Sequence, residues 1–378
     1  MMMGTHPRVI MVSAGFWPAI GGAERQALEL SRELRARGVG VCVLTRRLGC
    51  AVAREAIHGV PVRRLPVIGT GALDSISFLI GALGWLLKHA DEYDAIHAHL
   101  AGSPALAAAL AGRFLGKPVI VKLGGGRGLG ELSSRSSVGR LKLRLLALLK
   151  PCFLAVASDL VIEAREYLGA GVSIEVLPNG VDAGRFKPVS PKEKLALRAS
   201  LGWSGTVFLY TGRLSWEKRL PWFAKLWDEA TRGCDATLVL IGAGPEQAPL
   251  DALLAGGMSR VRILPPVEDT APFYAAADAF VLPSVSEGLS NSLLEAMASG
   301  LAIVASAVGG TAEAIENGST GLLFSRDNEK EVAACVRRVY DGPEAAAELG
   351  AAARRVCAER YALSRIAARL EELYRGRA

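Results

Sequence analysis

Short runs of β-branched and aliphatic residues alternate along the whole chain with longer Ala-, Leu- and Arg-rich stretches of helical period. Parallel sheets with helices on both faces produce this pattern, so the predicted class is α/β. In the first half, strands are predicted at 8–12, 40–45, 94–97, 119–122, 160–161 and 174–177. The clearest helix is 23–37, with Ala27, Leu30 and Leu34 on one face and Gly38 as its stop. Residues 76–87, ISFLIGALGWLL, read as a buried helix, because about a dozen apolar residues fall short of the roughly 18 to 20 that cross a bilayer. The turn-rich stretch LPNGVDAGRFKPVSPKEK places a linker around 182–192. A second βα series follows, with strands at 206–211, 237–241, 261–264, 279–282 and 303–305 and closing helices at 331–340, 345–360 and 363–374.

A length of 378 residues suits two domains of about 150 to 200 residues each. With half of its residues hydrophobic, the chain can bury a sizeable core, which excludes a disordered protein. Cys42, Cys50, Cys152, Cys234, Cys335 and Cys357 form no CxxC pair and have no histidine cluster beside them. Neither a disulfide framework nor a structural zinc site is expected, and the thiols read as reduced and cytosolic. The apolar run near the start spans only four or five residues, so no signal peptide is predicted and the expected location is cytoplasmic.

Charge is uneven. Residues 1–185 carry a formal +8 and the remainder −1. The excess lies in 113–150, where Arg113, Lys117, Lys122, Arg127, Arg135, Arg140, Lys142, Arg144 and Lys150 face a single anion, Glu131. Leu141, Leu145, Leu148 and Leu149 recur there at helical spacing, giving a basic amphipathic helix. It reads either as a surface for an anionic membrane, on the inner face, or as a solvated face over an ordinary core stripe. Nucleic acid is not an expected partner, because Phe114 is the only aromatic among these cations.

The densest chemistry lies in SVSEGLSNSLLEAMASG, 284–300, after a predicted strand. A helix can start at Ser290 to Ser292 and stop at Gly300, and Ser292 and Glu295 stand at capping-box spacing. Amides around Leu289, Ser290 and Asn291 would form an anion site for a phosphate or diphosphate. Glu287 lies before this helix and Glu295 within it, so two carboxylates can meet one ligand, as vicinal diols require; alternatively Glu295 only closes the capping box. Gly21 and Gly22 either let a backbone approach a sugar or phosphate or simply turn the chain into a helix. Arg213 and Lys218 follow a strand end, where ligands bind in open α/β sheets. His97 and His99 alternate along a strand and point to one face, with no third ligand for a metal and neither obviously in the core. Gly242 and Gly244 make a GxG whose third glycine is replaced by Gln247, so no dinucleotide fingerprint is present. The run LGGGRGLG, 123–130, lacks the ending of a P-loop and reads as an acceptor loop.

Glu287 and Glu295, seven residues apart in EGLSNSLLEAMASG, resemble the E-x7-E motif of the retaining glycosyltransferases of GT-B fold called family 4. The similarity extends to GGAERQALELSRELRARGVGVCVLT, AIHAH, LPNGVDAGRF, TGRLSWEKRL, LVLIGAGPE, ADAFVLPSVSEG and ENGSTGLLF, in the family's order. It implies two Rossmann-like domains facing a cleft: 1–182, joined by the last helix 363–378, for the acceptor, and 183–362 for a nucleotide-sugar donor. Glu295 would hold the ribose, Glu287 and Gly288 the donor sugar, and Arg213, Lys218, Gly22, Leu289, Ser290 and Asn291 the diphosphate. Gly242 and Gly244 would line the nucleotide pocket, and His99 would stand near the transferring sugar, with Glu287 and His99 as the catalytic pair. Lys122, Arg127, Arg135, Arg140, Lys142 and Arg144 would face the acceptor or the membrane.

No Asp-x-Asp triple occurs, so neither metal nor other cofactor is expected. The expected activity is retaining hexosyl transfer from a nucleotide-diphospho-sugar, with UDP favoured, to a glycan or lipid-linked acceptor in cell-surface polysaccharide assembly. A soluble small-glycoside synthase and a non-catalytic nucleotide-sugar-binding scaffold are the alternatives.

Overall fold

The computed structural model describes residues 6–18, 21–49, 51–125, 132 and 137–376. The chain divides into two compact units, Met1–Gly180 with Leu363–Ala378, and Val181–Ala362.

The first unit is built on an eight-stranded sheet. Its strands are β1 (Arg8–Ser13), β2 (Gly40–Arg46), β3 (Arg54–Ile57), β4 (Val60–Leu65), β5 (Ala95–His99), β6 (Val119–Leu123), β7 (Cys152–Ala155) and β8 (Ile174–Val176). The order is β3-β4-β2-β1-β5-β6-β7-β8, parallel except for the antiparallel β3–β4 hairpin. Helices α1 (Gly22–Ala36), α2 (Ala72–Lys88), α3 (Ser103–Leu115), α4 (Ser137–Leu149) and α5 (Ser158–Leu168) connect them.

The second unit carries β9 (Thr206–Thr211), β10 (Ala236–Ile241), β11 (Val261–Leu264), β12 (Ala279–Leu282), β13 (Ala302–Ser306) and β14 (Leu322–Phe324). They form a fully parallel sheet in the order β11-β10-β9-β12-β13-β14. Its helices are α6 (Pro191–Leu201), α7 (Leu220–Ala230), α8 (Gln247–Ala255), α9 (Ala271–Ala276), α10 (Asn291–Ala298), α11 (Gly309–Ala314), α12 (Glu329–Asp341) and α13 (Pro343–Arg360). The last helix, α14 (Leu363–Tyr374), returns to the first unit. There Ile366, Ala367, Leu370 and Tyr374 join Val9, Met11, Leu30 and Leu34 in one buried cluster.

Three local expectations are corrected. Residues 160–161 are not a strand; they lie inside α5, where Leu160, Ala164 and Leu168 recur at helical spacing on the buried side. The strand of that region is β7 instead. The β3–β4 hairpin was not anticipated, because Arg54, Arg63 and Arg64 interrupt its apolar positions. Arg64 is buried all the same, with its guanidinium on Glu55 at 2.7 Å and on the Trp17 carbonyl at 2.5 Å. The apolar segment 76–87 is a helix but is buried on one side only. Phe78, Ala82 and Leu86 are buried, while Ile76, Ile80 and Leu87 are exposed.

Candidate active site

In the second unit the loops leaving β9, β10 and β12 emerge from one end of the parallel sheet. The first two are zipped together by Gly212 N–H to the Ile241 carbonyl, Leu214 N–H to the Ala243 carbonyl and Glu246 N–H to the Leu214 carbonyl, at 2.9–3.0 Å. Gly242 and Gly244 are required by this approach. A Cβ on Gly242 would lie 1.9 Å from the Gly212 carbonyl oxygen, and one on Gly244 2.2 Å from that of Leu214. The two glycines thus fix the loop that carries Arg213, whose residue is exposed.

The third loop brings Glu287 to Lys218. Lys218 Nζ donates to Glu287 Oε1 at 2.5 Å, and the same oxygen accepts from Ser284 Oγ at 2.6 Å. Ser284 is fully buried and is itself fixed by Ser306 Oγ, which donates to its carbonyl at 2.6 Å. Val285 N–H donates to the Glu217 carbonyl at 2.8 Å, tying the third loop to the first. Tyr210 is buried below them, and burial together with Glu287 and Glu217 pushes its hydroxyl well above the ordinary tyrosine range.

The helix after this loop, α10, starts at Asn291 and is capped by Ser290, whose hydroxyl accepts from Leu293 N–H at 3.4 Å. A second bond at 2.9 Å joins the Ser290 and Ser292 hydroxyls. Ser292 is therefore not the cap, and Glu295 does not close a capping box. It sits in the second turn of α10, only 6% exposed, so its carboxylate is not consumed by helix capping. Leu289 is buried beside the cap, and the amide ends of the first turn of α10 give that end a partial positive charge. The second unit thus pairs Glu287, next to Gly288, with Lys218 on loops tied to the one that carries Arg213, and follows them with the helix that carries Glu295; such cations, carboxylates and a helix terminus suit an anionic, hydroxyl-bearing ligand.

Gly22 and His99 belong to the first unit, where Gly22 opens α1 and His99 ends β5. His99 pairs in register with Ser13 and with Lys122. His97 and His99 stack with ring centroids 4.6 Å apart and planes 2° from parallel. Neither position is obviously core from the sequence, yet both are buried. His97 Nδ1 shares a 2.6 Å hydrogen bond with the Tyr374 hydroxyl of α14. Burial, and then the Lys122 charge, depress the His99 imidazole to about 3. His97 is also pushed well below the ordinary range, by burial and by its neighbours His99 and Lys122. Both rings are therefore neutral at physiological pH.

The cations expected to face an acceptor or membrane separate into three groups. Arg140 and Arg144 are exposed on α4, next to exposed Leu141, Leu145 and Leu148. Lys122 and Lys142 do not face outward, because Lys122 is buried at the end of β6 and Lys142 is half-buried against Ser75 and Ser103. Arg127 and Arg135, with most of the glycine-rich run, lie outside the described residues. Among the described residues, no helix is long and apolar enough to cross a membrane.

Two family models match the chain, Glycosyltransferase Family 4 over residues 20–185 and Glycosyl transferases group 1 over 205–342. A D-inositol 3-phosphate glycosyltransferase of Catenulispora acidiphila is 30% identical, over 87% of this chain and 84% of that protein. The chain belongs to the family 4 glycosyltransferases. The 2-deoxystreptamine glucosyltransferase of Streptomyces kanamyceticus is 28% identical, over 84% of this chain and 89% of its own length. Among solved structures, Anabaena HepE in complex with UDP and glucose superposes with a TM-score of 0.79 at 22% identity, covering 97% of this chain and 99% of that one. The fold of this family 4 glycosyltransferase is accordingly GT-B, two Rossmann-like units with parallel sheets. The E-x7-E pair, the two cations and the family motifs were legible in sequence; the bond from Ser284 to Glu287 was not, although Ser284 lies within a quoted motif, and Tyr374 stands in no recognisable pattern.

Proposed function

We propose that the protein is a retaining, metal-independent hexosyltransferase using a nucleotide-diphospho-sugar, with UDP as the base carrier. The donor binds the unit 181–362, and the acceptor binds the unit 1–180 with 363–378. The observation that carries the reading is the Lys218–Glu287 pair at the amino end of α10, where a cation and a carboxylate are preorganised within one hydrogen bond. Glu295 takes the ribose diol, and Glu287 with the Gly288 amide takes the hexose hydroxyls. Arg213, Lys218 and the α10 amides neutralise the diphosphate, so no divalent ion is needed. Gly242 and Gly244 keep the wall of the nucleotide pocket free of side chains.

In the chemical step the bond from the anomeric carbon to the β-phosphate oxygen breaks, and its electron pair stays on the phosphate. The acceptor oxygen bonds to the same face of the sugar and passes its proton to that leaving oxygen, so the anomeric configuration is retained. His99, neutral and buried in the first unit, helps to position the acceptor hydroxyl. The bound UDP of HepE supports the choice of base.

The exposed stripes Leu73, Ile76 and Ile80 on α2 and Leu141, Leu145 and Leu148 on α4, with Arg140 and Arg144, support a peripheral site at the cytoplasmic face of a membrane. A lipid-linked glycan acceptor in cell-surface polysaccharide assembly fits that surface. A second reading, transfer to a small soluble acceptor, is favoured by the relatives named for inositol phosphate and 2-deoxystreptamine.

The test follows nucleoside diphosphate release from UDP-, GDP- and ADP-sugars and reads the anomeric proton of the product by NMR. Magnesium-independent release that is lost in Glu287→Ala, with the donor's anomeric configuration kept, supports the reading. An inverted product, or release that persists in Glu287→Ala, contradicts it.

A further inference from the structure

Lys142 turns its ammonium inward from α4. Nζ donates to Ser75 Oγ and to Ser103 Oγ, each at 2.8 Å, and the two hydroxyls share a hydrogen bond of 2.5 Å. Ser75 comes from the first turn of α2, and Ser103, only 5% exposed, opens α3. Three separate elements therefore converge on one cation without supplying an anion. Lys142 has no ion pair among the described residues, and burial alone draws its pKa down. The acid next to Ser75 in sequence, Asp74, is engaged by Arg46. A half-buried ammonium with only neutral partners is a costly arrangement, and its third N–H is left for a further acceptor.

A second lysine of the same unit is also buried. Lys122, in register with His99, is 8% exposed and is drawn down to about 8 by burial. Its ammonium has no hydrogen bond or ion pair among the described residues. The N-cap of α3 is Gly102, which offers no side chain to its first turn. The third ammonium N–H, the one hydroxyl hydrogen not used between Ser75 and Ser103, and the amide end of α3 at Ser103 offer donors from several directions, which suits the tetrahedral oxygens of a phosphate better than a flat carboxylate.

We propose that the Lys142–Ser75–Ser103 cluster is a recognition site for a phosphate group carried by the acceptor. The inference rests on the proposed division of donor and acceptor between the two units. The same chemistry serves a lipid headgroup and a soluble phosphorylated acceptor.

The test titrates inorganic phosphate calorimetrically at low ionic strength into the full chain, without donor or turnover, in wild type, Lys142→Met, Ser75→Ala and Arg213→Met. The site requires at least tenfold weaker phosphate binding in Lys142→Met and several-fold weaker binding in Ser75→Ala, with the Lys142-dependent component kept in Arg213→Met. Ser75→Ala carries the test if Lys142→Met does not fold. Equal affinity in wild type and Lys142→Met, or a loss confined to Arg213→Met, overturns the proposal and leaves the donor reading intact. Failure of the donor reading appears differently, as absent nucleotide binding with Lys142-dependent phosphate binding unchanged. Phosphatidic acid and phosphatidylcholine vesicles separate the sources. Lys142-dependent binding of the first alone assigns the phosphate to a lipid headgroup, and Lys142-dependent binding of free phosphate without it assigns a soluble acceptor.

Discussion

Lys218 and Glu287, 69 residues apart, meet in a 2.5 Å hydrogen bond whose carboxylate oxygen is also held by Ser284. The pair is largely shielded, with 19% of the lysine side chain and 9% of the glutamate side chain exposed. An ammonium has three donors, so Lys218 can keep Glu287 in place and still offer N–H groups to a diphosphate. Removing the cation leaves a shielded carboxylate without its partner. Lys218→Met is expected to cost about 1–3 kcal/mol in urea unfolding. It is also expected to lower kcat by roughly 100-fold, the scale of one preorganised donor in a transition state. An unchanged kcat would remove Lys218 from the chemistry.

Gly244→Ala tests the junction of the β9 and β10 loops. The added Cβ would stand 2.2 Å from the Leu214 carbonyl oxygen, a backbone atom already bonded to Glu246 N–H, so the loop itself has to move. A loss of roughly 3 kcal/mol or more is expected from such overpacking. Chemical denaturation measures it, and a change under 1 kcal/mol would mean that the two loops separate easily.

Tyr374→Phe tests the tie between α14 and β5. The substitution keeps the ring in its buried cluster and deletes the hydroxyl that partners His97 Nδ1, at a cost of about 1–3 kcal/mol for a buried group left unsatisfied. Equilibrium unfolding of the variant reads this directly.

The histidine pair also sets a pH dependence. His97 and His99 titrate below their ordinary value of 6.5 in the folded chain, His99 at about 3, so the unfolded chain binds protons first as pH falls. Their contribution is fully present above pH 6.5 and is lost as pH drops towards 3, by up to about 1.4 kcal/mol per pH unit for each ring. Lys122 acts in a separate window. Its folded value of about 8 lies below its ordinary 10.5, so its effect on stability rises with pH between those values and is level below 8. Unfolding free energies from pH 4 to 7 in wild type and in His99→Gln check the first slope, which should be shallower in the variant. Equal slopes would show that His99 takes up its proton without unfolding.

The fold was legible where periodicity is long and uninterrupted, as in α1, α14 and strands β9 to β13 of the second unit, while the three-residue β14 was missed. It was not legible at β3 and β4, where Arg63 and Arg64 give the pattern of a loop; the ion pair that lets Arg64 be buried depends on Glu55 across the hairpin. Val161 and Ile162 are β-branched, yet packing of Leu160, Ala164 and Leu168 decides for a helix. In the candidate site, Glu287 and Glu295 could be found because their spacing lies within one loop and helix. The partnership of His97 with Tyr374 spans 277 residues and leaves no local trace. Lys122 and Lys142 read as surface charges in a basic stretch, because burial of a lysine depends on the elements packed around it and not on its sequence neighbours.

The donor site in the second unit is tested most directly by thermal unfolding with UDP, GDP, ADP and CMP, with and without magnesium, in wild type and Glu295→Ala. A ligand at about 100 times its Kd adds roughly 2.7 kcal/mol to stability. The expected result is a rise in Tm with the uridine series, independent of magnesium and lost in Glu295→Ala. No rise with any nucleotide, or an equal rise in wild type and Glu295→Ala, would contradict the assignment of this site.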